Sequence, residues 1–128
     1  MNELAKTIHE IAVKHGFYEN KREIGTLLML VVSELSEALE ADRKDRRTRL
    51  DAFKRKRDFR NPDSEIPEER SFQADFEICI KDTFEDEIAD AVIRLLDLCA
   101  YQDIDIEKHI ELKMRYNSLR PHKHGKKY

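Results

Sequence analysis

The sequence predicts an all-α fold, and three observations carry that prediction. Apolar residues recur at helical rather than strand spacing along nearly the whole chain. Its 128 residues include only three Gly and three Pro, too few for the many tight turns of a β-sandwich or barrel. Hydrophobic and charged residues each make up 40%, the mixture from which amphipathic helices with a shared core are assembled. The length gives room for one domain, and the near-balanced net charge of −3 implies no general surface for polyanions.

Leu4, Ile8, Ile11 and Ala12 mark a first helix, which Gly16 ends. A second is expected from about Lys21 to Asp42, with Ile24, Leu27, Leu28, Val31, Leu35, Ala38 and Leu39 on one face. A third is expected to start near Phe72 and run on through Phe76, Ile80, Phe84, Ile88, Val92, Leu95, Leu96 and Cys99. It is apolar over most of its circumference, as a helix central to a bundle would be. Asp103 or Asp105 can cap a fourth helix, IEKHIELKMRYNSLR, stopped by Pro121. If the third helix is continuous, Cys79 and Cys99 are roughly 30 Å apart along it and cannot bridge each other. No run of 18 apolar residues and no signal-peptide centre is present, so a cytoplasmic chain with two reduced thiols is expected.

Between the second and third helices the charge is uneven. Asp42 to Arg60 holds ten Lys/Arg against four Asp/Glu, and Asn61 to Asp90 holds eleven acids against two bases. Pro62 and Pro67 fall at the boundary. The 43–70 segment reads either as an exposed helical extension followed by a loop, or as a basic arm that reaches phosphates or a partner subunit. The chain is otherwise one domain, 1–128, with a basic tail at 121–128.

Acid pairs at i, i+3 occur six times, at 34/37, 37/40, 42/45, 65/68, 82/85 and 87/90. Their neighbours discriminate between them. Glu34 and Glu37 follow directly on an aliphatic run, and Glu87 and Asp90 interrupt the apolar surface of the third helix. Positions three apart lie about 60° from each other on a helix. Burying ionised carboxylates unpaired is costly, so these acids must be exposed, neutralised or arranged around a cation. Two helices side by side would bring four acids to one point, and all-oxygen ligation favours Mg²⁺, Mn²⁺ or Ca²⁺ over zinc. Two solvated faces meeting Lys and Arg are the competing reading.

On the fourth helix Lys113, Tyr116, Asn117 and Arg120 share one face, offering two cations, an amide and a phenol to phosphate oxygens and a sugar or base. A basic helix end complementing its own dipole would look the same. His122 and His124 form only a weak zinc signature, and Gly125, Lys126 and Lys127 fit either a free tail or one closing over a polyphosphate.

The ordered set Glu34-Leu-Ser-Glu37, Glu87-Ile-Ala-Asp90 and Lys113-x-x-Tyr116-Asn117-x-x-Arg120-Pro resembles the MazG-like all-α nucleoside triphosphate pyrophosphohydrolases. Dimeric dUTPases, dCTP pyrophosphatases and phosphoribosyl-ATP pyrophosphohydrolase belong to the same superfamily. The similarity covers about Ile24–Ala41 and Phe84–Lys127. It implies a compact bundle of four to five helices assembled as a homodimer or a dimer of dimers (a homotetramer). It also implies Mg²⁺-dependent cleavage between the α and β phosphates of an NTP or dNTP, with Mn²⁺ as a substitute ion. Glu34, Glu37, Glu87 and Asp90 match the family's metal ligands, with Glu37 also a candidate to orient or deprotonate the attacking water. Lys113, Tyr116, Asn117 and Arg120 match nucleotide-contacting positions.

Three departures stand out. Ser33 occupies a position where many members carry a further acid. The stretch from Glu37 to Glu87 is much longer than the usual spacing, and the tryptophans that some dCTP-selective relatives place around the base have no counterpart. The alternative function is a non-catalytic helical oligomer whose basic arm contacts nucleic acid or an acidic partner. That arm offers only Phe53 and Phe59 for base stacking, which makes a nucleic-acid partner unlikely.

Overall fold

A computed structural model describes residues 1–121 as six helices, with no strand among them. They are α1 (Asn2–Lys14), α2 (Ile24–Arg43), α3 (Leu50–Asp58), α4 (Glu68–Cys79), α5 (Phe84–Tyr101) and α6 (Ile106–Ser118). The all-α expectation holds, with more helices than the four to five expected. The chain divides into two compact units, one of 1–24 with 95–128 and one of 25–94, and the boundary falls inside α5.

In the first unit, Gly16 ends α1 in the left-handed region (φ +82°). The Phe17 amide then reaches back to the Ala12 carbonyl at 3.2 Å, the six-to-one bond of a Schellman stop. The C-terminus of α5 stops the same way, with Asp103 (φ +52°) in glycine's place and Ile104 N–H donating to Cys99 O at 2.8 Å. Asp105, not Asp103, caps α6: its carboxylate accepts the Lys108 amide at 3.0 Å. Asp97, on α5, accepts from the Tyr18 hydroxyl at 2.5 Å and pairs with His9 Nδ1 at 2.7 Å. The rings of His9, Tyr18 and Tyr101 cluster beside it, with neighbouring centroids 4.5 and 4.8 Å apart. Burial, and then the bond to Asp97, push the Tyr18 phenol above its ordinary range.

In the second unit, α2 ends at Asp45 (φ +52°), and the Arg46 amide bonds the Ala41 carbonyl at 2.9 Å. The 43–70 segment is a helix and a loop rather than a free arm. Here α3 packs against α4, where Arg57 binds both Glu68 and Asp75 while Phe53 meets Phe72 edge-on at 5.7 Å.

The single third helix expected from Phe72 to Cys99 is two helices. The chain turns at Asp82 (φ +58°), and Thr83 starts α5 afresh, its hydroxyl accepting the Asp86 amide at 3.4 Å. Continuous apolar periodicity hid the break because Asp supplies the left-handed residue where Gly or Pro would have signalled it. Cys79 and Cys99 therefore stand on different helices, both buried as free thiols. Burial along the two helices is one-sided rather than all round: Cys79, Ala91, Leu96, Leu98 and Cys99 are buried, whereas Phe72, Ile78, Val92 and Leu95 are exposed. No helix among the described residues is long and apolar enough to cross a membrane.

Candidate functional site

Three of the four acids that the spacing singled out converge, and all four lie within the second unit. Buried positions on α2 recur at Leu27, Val31, Glu34, Ala38 and Ala41, so Glu34 occupies a step of the apolar ladder. On α5 the buried step is Glu87, one turn before buried Ala91. Glu34, Glu87 and Asp90 each offer a carboxylate oxygen, and these oxygens lie within 4.8 Å of one another. Glu37 is exposed and lines the same cavity of about 550 Å³.

Glu87 is only 5% exposed, and among the described residues no donor or cation reaches its carboxylate. Burial, then the charges of Glu37, Glu34, Asp86 and Asp90, push its pKa up to about 7. Asp90 shifts the same way, through desolvation first and then Asp86 and Glu34, with Arg94 opposing. A carboxylate held this way either keeps its proton or takes a cation from the cavity that it lines, and the three-acid group could hold one.

The donor set suits a hard ion. At 2.0–2.6 Å from one ion, ligand oxygens are about 3–5 Å apart, the spacing seen here. Zinc, which prefers nitrogen and sulfur, finds neither in this group.

Sequence spacing missed two parts of this site. Arg94, one turn past Asp90, donates from Nε to Glu34 Oε1 at 2.5 Å. It stood out in sequence from no other helix-surface cation. The second is an aromatic wall: Phe72 and Phe76 of α4 line the cavity beside Gln73. Their rings are near-parallel at 28°, with centroids 6.1 Å apart. Both had the periodicity of core residues, yet Phe72 is 46% exposed.

Compared with known protein families, curated proteins and solved structures, the chain finds no match.

The remaining predicted residues belong to the first unit. Lys113, Tyr116 and Asn117 lie on α6, and Arg120 follows it. Lys113 Nζ and the Arg120 guanidinium approach the Tyr116 ring at 5.1 and 5.8 Å from its centroid, and that ring is 58% exposed. His122, His124 and the rest of the basic tail lie outside the described residues. In the 43–70 segment much of the positive charge is neutralised internally. Arg43 and Lys44 bind Glu40, Arg47 binds Asp42, and Arg57 and Arg60 bind Glu68.

Proposed function

We propose that this chain is a Mg²⁺-dependent nucleoside triphosphate pyrophosphohydrolase, cleaving between the α and β phosphates to give a monophosphate and pyrophosphate. The observation that carries the reading is Glu87, a buried, unpartnered carboxylate within 4.8 Å of oxygens from Glu34 and Asp90. Glu34, Glu87 and Asp90 would hold the ion, which when bound polarises phosphoryl oxygens and acidifies the attacking water. Glu37, at the cavity rather than in the three-oxygen group, is free to orient that water or take its proton. Mn²⁺ should substitute, since it accepts the same oxygen donors.

The aromatic wall supports a nucleoside over a bare polyphosphate. A base laid on Phe72 or Phe76 would gain about 1–3 kcal/mol by stacking. Within the first unit, Lys113, Tyr116, Asn117 and Arg120 offer two cations, an amide and a phenol of the kind that suits phosphate oxygens. A homodimer, alone or paired into a homotetramer, is supported by α2. Its exposed Leu28, Val32, Leu35 and Leu39 follow one another at steps of four, three and four residues, a stripe that a second copy would cover. Buried free thiols at Cys79 and Cys99 fit the reducing cytoplasm.

The test is a panel of NTPs and dNTPs with Mg²⁺, scored for monophosphate and pyrophosphate. Turnover is expected to vanish in Glu87→Gln and fall at least a hundredfold in Glu37→Gln. Phe76→Ala should raise KM about tenfold or more with little change in kcat. Orthophosphate as the product, or no turnover of any nucleotide, would sink the reading.

A further inference from the structure

Glu34 differs from the other two carboxylates in already having a cation. Arg94 Nε donates to its Oε1 at 2.5 Å, while Oε2 accepts nothing among the described residues. The Glu34 side chain is 9% exposed and that of Arg94 41%, so the contact is shielded on the carboxylate side. Arg94 sits seven residues past Glu87 and four past Asp90, on the same side of α5 as both acids. The pair therefore belongs to the cluster.

Two-ion phosphoryl-transfer centres place their ions about 3.5–4 Å apart, where carboxylates with both oxygens free can bridge them. Glu34 has one oxygen committed to a guanidinium that stays protonated at any working pH. Glu37 does not supply a second cluster either. It lies outside the three-oxygen group, and its Oε1 accepts from the Ser33 hydroxyl at 3.5 Å.

We infer that the centre takes a single resident divalent cation, with Arg94 fixing Glu34 as a one-oxygen ligand and its positive charge opposing a second ion. Arg94 acts through Glu34 and is a positioning residue. The inference rests on the pyrophosphohydrolase reading only for the divalent ion itself. It requires no particular base, sugar or direction of cleavage.

The test is an equilibrium titration of the full chain with Mn²⁺ alone at pH 7.5, following free ion by electron paramagnetic resonance. Wild type should saturate at one Mn²⁺ per chain. Arg94→Leu and Arg94→Gln should saturate at two, because Glu34 Oε1 is released and a positive charge is lost. Arg94→Lys, which keeps the charge, should return to one. A circular-dichroism melt confirms that each variant is folded before its stoichiometry is read. Two ions in the wild type would overturn the inference, as would one ion at unchanged affinity in both neutral variants. Failure of the wild type to bind Mn²⁺ at all removes the metal reading beneath it, a result distinct from either stoichiometry.

Discussion

Helix α5 carries two carboxylate centres that are opposite in design. Asp97 has both oxygens engaged, one by His9 and one by the Tyr18 hydroxyl, beside a cluster of aromatic rings. Glu87, ten residues earlier, is more deeply buried, has acids for neighbours and no partner of its own. A satisfied carboxylate makes a fold stiffer, whereas a frustrated one makes the fold wait for something. Structure and candidate chemistry are thus separated along one helix by whether the second charge or donor is supplied from within the chain.

The comparison can be broken at either end. The largest effect is expected at the satisfied centre. Asp97→Ala removes two strong hydrogen bonds and strands a ring nitrogen and a half-buried phenol, so it should cost about 3 kcal/mol in urea unfolding. At the frustrated centre the same measurement should respond to ions instead. Mg²⁺ at a hundred times its Kd should stabilise wild type by about 2.7 kcal/mol at pH 8, and Glu87→Gln should largely lose the response.

Without divalent ions, pH should act on Glu87. Its folded-state pKa of about 7 lies above the ordinary value of 4.5. Between those values the unfolded chain releases a proton that the folded chain keeps, so stability falls as pH rises from 4.5 and levels off above 7. The loss should reach about 2 kcal/mol in wild type and be largely removed in Glu87→Gln. A stability that instead increases over this interval would contradict the burial of an unpaired carboxylate. The smallest effect is a control: Glu111→Gln, at the exposed Lys108–Glu111 pair, should change stability by less than about 0.5 kcal/mol.

The legible parts of the sequence were those with a strong local signature. Glu34, Glu87 and Asp90 were visible because acids interrupting an apolar face are expensive to bury. Helix α1 was visible through Gly16. The stop between α4 and α5 was hidden because Asp82 adopts the left-handed turn. In a chain where charged residues are 40%, an aspartate that ends a helix looks like any other. Arg94 escaped notice for the same reason. Its role depends on which rotamers of α2 and α5 meet, a tertiary fact that helical spacing does not encode. Phe72 and Phe76 had the periodicity of core residues, and periodicity cannot tell a face turned to the core from one turned to a cavity.

The base of the α3–α4 excursion has a consequence of its own. Arg49 N–H donates to the Cys79 carbonyl at 2.9 Å, Phe84 N–H to the Arg46 carbonyl at 3.0 Å, and the hydroxyls of Thr48 and Thr83 meet at 2.7 Å. The excursion thus leaves and re-enters the unit at one stapled point, like a hairpin with helices for arms. Once a loop's ends are joined, each doubling of its length costs only about 0.6 kcal/mol of closure entropy. The long separation between the two acid pairs is then a property of a module hung beside α2 and α5. Such a module, carrying the aromatic wall, can be lengthened, trimmed or exchanged while the carboxylates stay where they are.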